Sequence, residues 1–362
     1  MANGRDQARA LPRDEGYTYV ELKELVGHTL GAGVSVLVRG HPGVGKSTLA
    51  ADVAAGMGLP LVDIRLAQRD PAELAGVYFP DRDRRELALF PPDWVKQACE
   101  TPVMVFLDEI NAAVTRLHQA AAYQIVLEKR VGPFAFHPGT VVMAAGNLEE
   151  DNAIVSSLSS ALCNRFAHYV LRVDSRAWLE WGSDAGIDES ILAYIGRHGE
   201  EALYENTGDH AFATPRSWEM ASRLMAGAPV EIQKRLIAAC VGLGAAEKFG
   251  NYQRIYQKVN AKKIIEKGLP MDFRSGREAE PSFIYAAVFA VAAWLNSSDT
   301  IADEHLPNVV TFARSPGLDP EYVFLFLRQI KRHPNLLDRL KTLPEYQALA
   351  ADLVALHMGL YQ

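Results

Sequence analysis

Cysteine is scarce in this chain: Cys99, Cys163 and Cys240 are the only three in 362 residues. They are odd in number and widely spaced, and no two stand in a C-x-x-C pair. A disulfide framework and a cysteine metal site are therefore not expected, and reduced thiols in a cytoplasmic protein are. Long apolar runs are missing too. The most apolar stretch, residues 283–295, falls short of the ~20 residues that a bilayer span needs, and reads as a core helix. Residues 1–15 are polar and mixed in charge, with no apolar segment of the kind a signal peptide carries; no membrane association is expected. Neither sign of charge dominates. Lys and Arg number 37 against 44 Asp and Glu, a formal net charge of −7, which does not suggest general polyanion binding, although a local basic lining could be hidden by the average. No repeat of fixed period and no low-complexity segment occurs.

What is present is ordinary globular material, 49% hydrophobic and 22% charged, in a length that suits more than one domain. One stretch stands out, Gly40-His41-Pro42-Gly43-Val44-Gly45-Lys46-Ser47-Thr48. It fits G-x-x-x-x-G-K-[ST], the phosphate-binding P-loop. Its context fits as well: residues 34–38 form a short apolar run that reads as a buried strand, and residues 49–55 are rich in helix formers. The backbone N–H groups of such a loop, with the helix N-terminus behind them, make a nest for polyphosphate. Lys46 is expected to reach the outer phosphates and Ser47 to hold Mg²⁺.

Further strands are expected at 59–66, 103–107, 140–145 and 168–173, and helices at 17–30, 70–76, 92–100 and 112–129. Strands alternating with helices over the first ~170 residues indicate an α/β doubly wound domain. Residues 81–86 read as a charged, turn-like insert. From Arg176 the strand signal largely disappears. Helices are expected at 178–181, 189–197, 216–225, 231–249, 281–294, 320–332 and 344–358, punctuated by glycine and proline, so the second half reads as all-α.

A P-loop needs a partner strand that ends in acid. Residues 103–107 are wholly apolar and run into Asp108-Glu109, sixty-two positions after Lys46 at Asp108 (108 − 46). This is the Walker B pattern, with Asp108 positioning the hydrated Mg²⁺ and Glu109 orienting and polarising the attacking water. The next expected strand ends in Asn147, whose amide could lie beside the outer phosphate or simply favour the turn into Leu148-Glu149-Glu150. Two arginines complete the candidates: Arg165 at the end of one expected helix and Arg216 at the start of another. On spacing alone neither arginine reads as catalytic, and Arg165 is a charge that complements a helix C-terminus.

Taken together, these residues resemble the AAA+ ATPases, and within them the MoxR-like, dynein-related, vWA-associated branch. The resemblance rests on the P-loop, the Asp-Glu pair, Ala-Ala-Gly-Asn at 144–147, Leu-Cys-Asn-Arg-Phe at 162–166 and Thr-Pro-Arg-Ser-Trp at 214–218, and covers about residues 17–225. It implies a parallel five-stranded sheet of order 5-1-4-3-2, followed by an all-α lid and a helical C-terminal extension. The implied domains are a flexible tail at 1–16, the nucleotide-binding domain at 17–173, the lid at 174–269 and the extension at 270–362. By the same resemblance Asn147 is sensor 1, Arg165 an arginine finger inserted into the neighbouring subunit, and Arg216 sensor 2. Residues 70–92 and 132–137 look like the family's two insertions, which face the pore or one axial face of a ring. An Asn-Lys-x-Asp guanine motif is absent, which favours ATP.

The expected function is thus a Mg²⁺-dependent ATPase in a ring, of six members by resemblance, that remodels or activates a client protein with a vWA-domain partner. The rival is a nucleic-acid motor or loader that works with a nuclease. The net negative charge weighs against the rival, and the Arg82/Arg84/Arg85 cluster weighs slightly for it. A nucleotide-gated scaffold with little turnover is disfavoured by the presence of both Glu109 and Arg165.

Overall fold

The structure, a computed structural model, describes residues 16–68, 74, 76–83, 85–111, 116–148, 158–298 and 301–359. Several expectations fall outside the described residues: the tail before Gly16, most of the helix at 70–76, the start of the helix at 112–129, Arg84, and the pair Glu149-Glu150. The chain divides into two compact units, Met1–Asp174 and Ser175–Gln362.

The first unit is built on five parallel strands: β1 (Val36–Arg39), β2 (Leu61–Arg65), β3 (Met104–Asp108), β4 (Val141–Gly146) and β5 (Ala167–Val170). Their order is β5-β1-β4-β3-β2, the α/β arrangement expected from the resemblance. Side chains alternate across the sheet as a period of two requires. Val36, Val38, Met104, Phe106, Met143 and Ala145 enter one core with Leu22, Val26 and Leu30 of the helix Tyr19–Gly31, and with Leu49, Ala50 and Val53 of the helix Lys46–Gly56. Leu37, Val105, Leu107, Val142 and Ala144 enter the other, against Trp94, Val95 and Ala98 of the helix Asp93–Glu100. Both faces are covered, which is why β3 and β4 read as unbroken apolar runs.

The helix Tyr19–Gly31 begins with a reciprocal cap: the Thr18 hydroxyl accepts from the Glu21 N–H, and the Glu21 carboxylate accepts from the Thr18 N–H at 2.9 Å. The helix expected at 112–129 is described from Arg116 to Tyr123 and closes in a π-helical turn, Gln124–Glu128. The charged segment at 81–86 is the turn of an antiparallel hairpin, Val77–Asp81 with Glu86–Phe90. A second, smaller hairpin pairs Arg130–Val131 with Phe134–Ala135.

The second unit is helical. Its described elements agree with the expected helices at 178–181, 189–197, 216–225, 281–294, 320–332 and 344–358, with ends moved by a few residues. One expectation is corrected. Residues 231–249 are not one helix but two, Val230–Val241 and Leu243–Tyr256. Gly242 separates them at φ 84°, and a Cβ there would sit 2.6 Å from the Ala211 carbonyl oxygen, so the chain turns where only glycine fits. Short helices at Glu200–Leu203, Ala261–Glu266, Leu306–Ala313 and Leu336–Leu340 were not anticipated. The helix Pro281–Ser297 is apolar almost all round and buried, and it packs against Glu189–His198 and Pro320–Ile330. Trp218 is fully buried, with its indole N–H donating to the Ala202 carbonyl at 2.9 Å. Around it stand Tyr194 and Phe249, each with its ring centroid 5.6 Å away.

Candidate nucleotide site

The site is assembled at the C-terminal ends of β1, β3 and β4, where open parallel sheets bind ligands. The chain leaves β1 through Gly40, which is buried; a Cβ on it would lie 2.8 Å from the Leu171 carbonyl oxygen. Gly43 and Gly45 then take positive φ values of 76° and 102°, a backbone path closed to side chains with a Cβ. Gly45 is the N-cap of the helix that Lys46 begins, so the first amides of that helix end on the loop.

Lys46 is half-buried. Its Nζ donates to the carbonyl oxygens of Gly40 (2.7 Å) and His41 (2.9 Å), and to Oδ1 of Asn147 (2.8 Å). Asp108 ends β3 and is buried at 9% exposure. Its Oδ2 accepts from the Ser47 hydroxyl at 2.9 Å, and its Oδ1 from the Glu109 N–H at 2.9 Å. Glu109 follows at φ 55°, a left-handed conformation that costs of order 1 kcal/mol for such a residue, and its side chain is exposed. Asn147 lies just past β4 and is half-buried.

The structure therefore brings together Gly40 to Thr48, Asp108, Glu109 and Asn147. Arg165 belongs to the same unit, just after the short helix Ser160–Cys163, and is exposed. Arg216 belongs to the second unit, at the second position of the helix Pro215–Met225, and is also exposed. A cap in which Thr214 accepts from the Ser217 N–H at 3.0 Å, while Ser217 Oγ accepts from the Thr214 N–H at 2.7 Å, fixes the start of that helix.

The donor set suits Mg²⁺. A hydroxyl and a carboxylate, both hard oxygen ligands, lie side by side at the edge of the phosphate loop, and this ion is commonly held by one or two such groups together with waters and substrate phosphates.

Two features of the neighbourhood were not anticipated from sequence. Asn111 is buried at 8% exposure; its Nδ2 donates to the Asn147 carbonyl at 2.8 Å, and its Oδ1 accepts from the Asn147 N–H at 3.2 Å. Its only trace in the sequence is a second polar residue three positions after Asp108. The other is Tyr19, whose ring lies 3.8 Å from where a Cβ on Gly45 would be. Its hydroxyl donates to Asp52 Oδ2 at 3.1 Å, and Lys23 pairs with the same carboxylate at 3.4 Å. Burial, then the Asp52 charge, holds the Tyr19 phenol well above its ordinary value, so it remains a neutral donor and ties the first helix to the loop's helix.

Residues 36–172 match the model of the ATPase family associated with various cellular activities (AAA). Comparison with curated proteins found no match. Among solved structures, a RuvB mutant of Thermotoga maritima is 16% identical, with a TM-score of 0.39, over 82% of this chain and 88% of that one. A protein of Cytophaga hutchinsonii described as an ATPase is 14% identical, with a TM-score of 0.35, over 86% and 88%.

Proposed function

We propose, from an AAA ATPase domain at residues 36–172, that this chain hydrolyses ATP in a ring and uses the cycle to remodel or activate a client protein. One observation carries the reading: at a single glycine loop, Lys46 is bonded to Asn147 at the end of β4 and Ser47 to the buried Asp108 at the end of β3. In this reading the amides of residues 43–48 cradle the polyphosphate and Lys46 contributes the positive charge. Ser47 and Asp108 hold Mg²⁺, which when bound offsets charge on the transferred phosphoryl group. Glu109, exposed beside the loop, accepts a proton from the attacking water and orients it. Asn147, already bonded to Lys46, marks where the outer phosphate ends.

Arg165 is exposed, as a residue that acts in a neighbouring site must be, and we assign it the role of arginine finger in trans. Arg216 is assigned to sense the outer phosphate from the lid. The second unit is read as a lid at 174–269 with an extension at 270–362, whose helix Pro281–Ser297 shares a core with the lid helix Glu189–His198. A heterologous contact that closes gives the ring, here six-membered. MoxR-like membership, a vWA-domain partner and a cytoplasmic location complete the proposal; among the described residues no helix is long and apolar enough to cross a membrane.

A protein client is favoured over nucleic acid by the hairpin. Val77, Phe79 and Phe90 are 47%, 55% and 56% exposed on one of its faces, and its turn mixes Asp81 and Asp83 with Arg82 and Arg85. An apolar face of this kind suits a polypeptide better than a phosphate backbone.

Subunit mixing tests the ring. Arg165→Ala chains and Lys46→Ala chains should each be inactive alone, and mixed assemblies should regain part of the activity because one supplies the finger and the other the intact loop. Mixed assemblies of verified composition with no recovered activity would refute a finger acting in trans.

A further inference from the structure

We propose that Asn111 is a positioning residue for the reaction, acting through Asn147 on Lys46. The inference rests on the ATPase reading above and adds a residue that the reading does not use. The carboxamide of Asn111 grips both backbone polar groups of one residue: it donates to the Asn147 carbonyl at 2.8 Å and accepts from the Asn147 N–H at 3.2 Å. Only one orientation of the amide satisfies both bonds, since the two ends of the group differ in kind. Asp would lack the donor, and Leu would leave both backbone groups unpaired in a buried place.

This grip fixes the backbone from which the Asn147 side chain departs, and that side chain's Oδ1 accepts from Lys46 Nζ at 2.8 Å. The neighbouring backbone is joined in the same sense, with the Ile110 N–H donating to the Ala145 carbonyl at 2.9 Å. Residues 108–111 therefore link the end of β3, which carries Asp108 and Glu109, to the end of β4, which carries Asn147.

Gly146 supplies independent support. A Cβ at this position would lie 2.8 Å from Asn111 Oδ1 and 3.1 Å from its Cγ. The residue before Asn147 must be bare for the amide to reach across. Its φ is not in the left-handed region, so the need for glycine here comes from the close approach of Asn111 and not from the backbone.

Asn111 thus sets where Asn147 and Lys46 stand, with both ends of its carboxamide bonded to the Asn147 backbone. A misplacement of about 1 Å in such a group costs on the order of 100-fold in rate. A merely structural staple would lower nucleotide affinity and turnover together. A positioning residue lowers kcat and leaves binding in place.

The test measures steady-state ATP hydrolysis, affinity for a fluorescent ATP analogue and thermal unfolding for four chains: wild type, Asn111→Ala, Gly146→Ala and the double variant. For Asn111→Ala, kcat should fall about 10- to 100-fold, with analogue affinity within about 3-fold of wild type. Gly146→Ala should reproduce the defect while Asn111 is still present, because the new methyl pushes the amide aside. In the double variant the methyl has no amide to strike, so its kcat should be no lower than that of Asn111→Ala alone.

The proposal is overturned if Asn111→Ala keeps kcat within about 2-fold of wild type, or if its affinity for the analogue falls in step with kcat. It is also overturned if the two substitutions multiply in the double variant. A wild-type chain that binds the analogue but never hydrolyses ATP overturns the ATPase reading and this role together. Wild-type turnover with an unaffected Asn111→Ala overturns this role alone.

Discussion

Glu189 offers a stability test whose sign is set by a competition between burial and pairing. It opens the helix Glu189–His198, and its side chain is only 23% exposed. Its Oε1 accepts from Arg332 Nη1 at 3.3 Å, and Arg332 lies 3.8 Å from a second, mostly exposed carboxylate, Asp184. Burial pushes the Glu189 carboxyl up from 4.5 to about 7; the Arg332 charge opposes the rise and the Asp188 charge adds to it. Burial outweighs the ion pair. A rise of that size corresponds to about 3 kcal/mol at ~1.4 kcal/mol per unit, and residual solvent contact reduces it to about 2–3 kcal/mol.

The folded carboxyl holds its proton more tightly than the unfolded one. Its favourable contribution is complete below 4.5 and is lost as pH rises through about 7. Glu189→Gln has nearly the same shape and does not titrate. The stability of wild type minus that of Glu189→Gln should therefore fall by about 2–3 kcal/mol between about pH 5 and pH 8, while other titrating groups, His198 among them, cancel in the difference. Urea unfolding followed by tryptophan fluorescence reads this directly, because Trp178, Trp181, Trp218 and Trp294 all lie in the second unit and only Trp94 in the first. A difference that stays flat, or that moves in favour of wild type as pH rises, would show that the Arg332 pair dominates burial and would refute the reasoning.

Two further stability predictions follow from local geometry. Gly242→Ala should destabilise the second unit by roughly 1–3 kcal/mol in the same urea assay, since the new Cβ meets the Ala211 carbonyl at a left-handed backbone position. Thr214→Ala removes the side-chain acceptor for the Ser217 N–H and should cost about 1 kcal/mol, with faster amide exchange confined to the first turn of Pro215–Met225.

The parts of the site visible in the sequence are those set by neighbours along the chain. The P-loop is contiguous, from β1 through the glycines to the helix, and Asp108 announces itself by ending an apolar strand. The parts that were not visible depend on register between distant strands. Asn147 is readable as the polar end of an apolar strand, but its bond to Lys46 across 101 residues and its grip by Asn111 across 36 have no local signal. In the second unit the apolar spacing runs smoothly through Gly242, so one helix is expected; the break lies at the left-handed backbone of Gly242, where the Ala211 carbonyl, remote in sequence, leaves no room for a Cβ. The hairpin at 77–90 escaped notice because its strands expose apolar residues, so the inside–outside alternation that marks a half-buried strand is missing.

The central claim is that the groups gathered at the ends of β1, β3 and β4 hydrolyse ATP, with Glu109 acting on the attacking water. It is tested most directly by phosphate release and nucleotide binding measured side by side for wild type, Lys46→Ala and Glu109→Gln. The account predicts Mg²⁺-dependent phosphate release by the wild type and no binding by Lys46→Ala. For Glu109→Gln it predicts wild-type affinity with release reduced by at least about 100-fold. Hydrolysis undiminished in Glu109→Gln would contradict it.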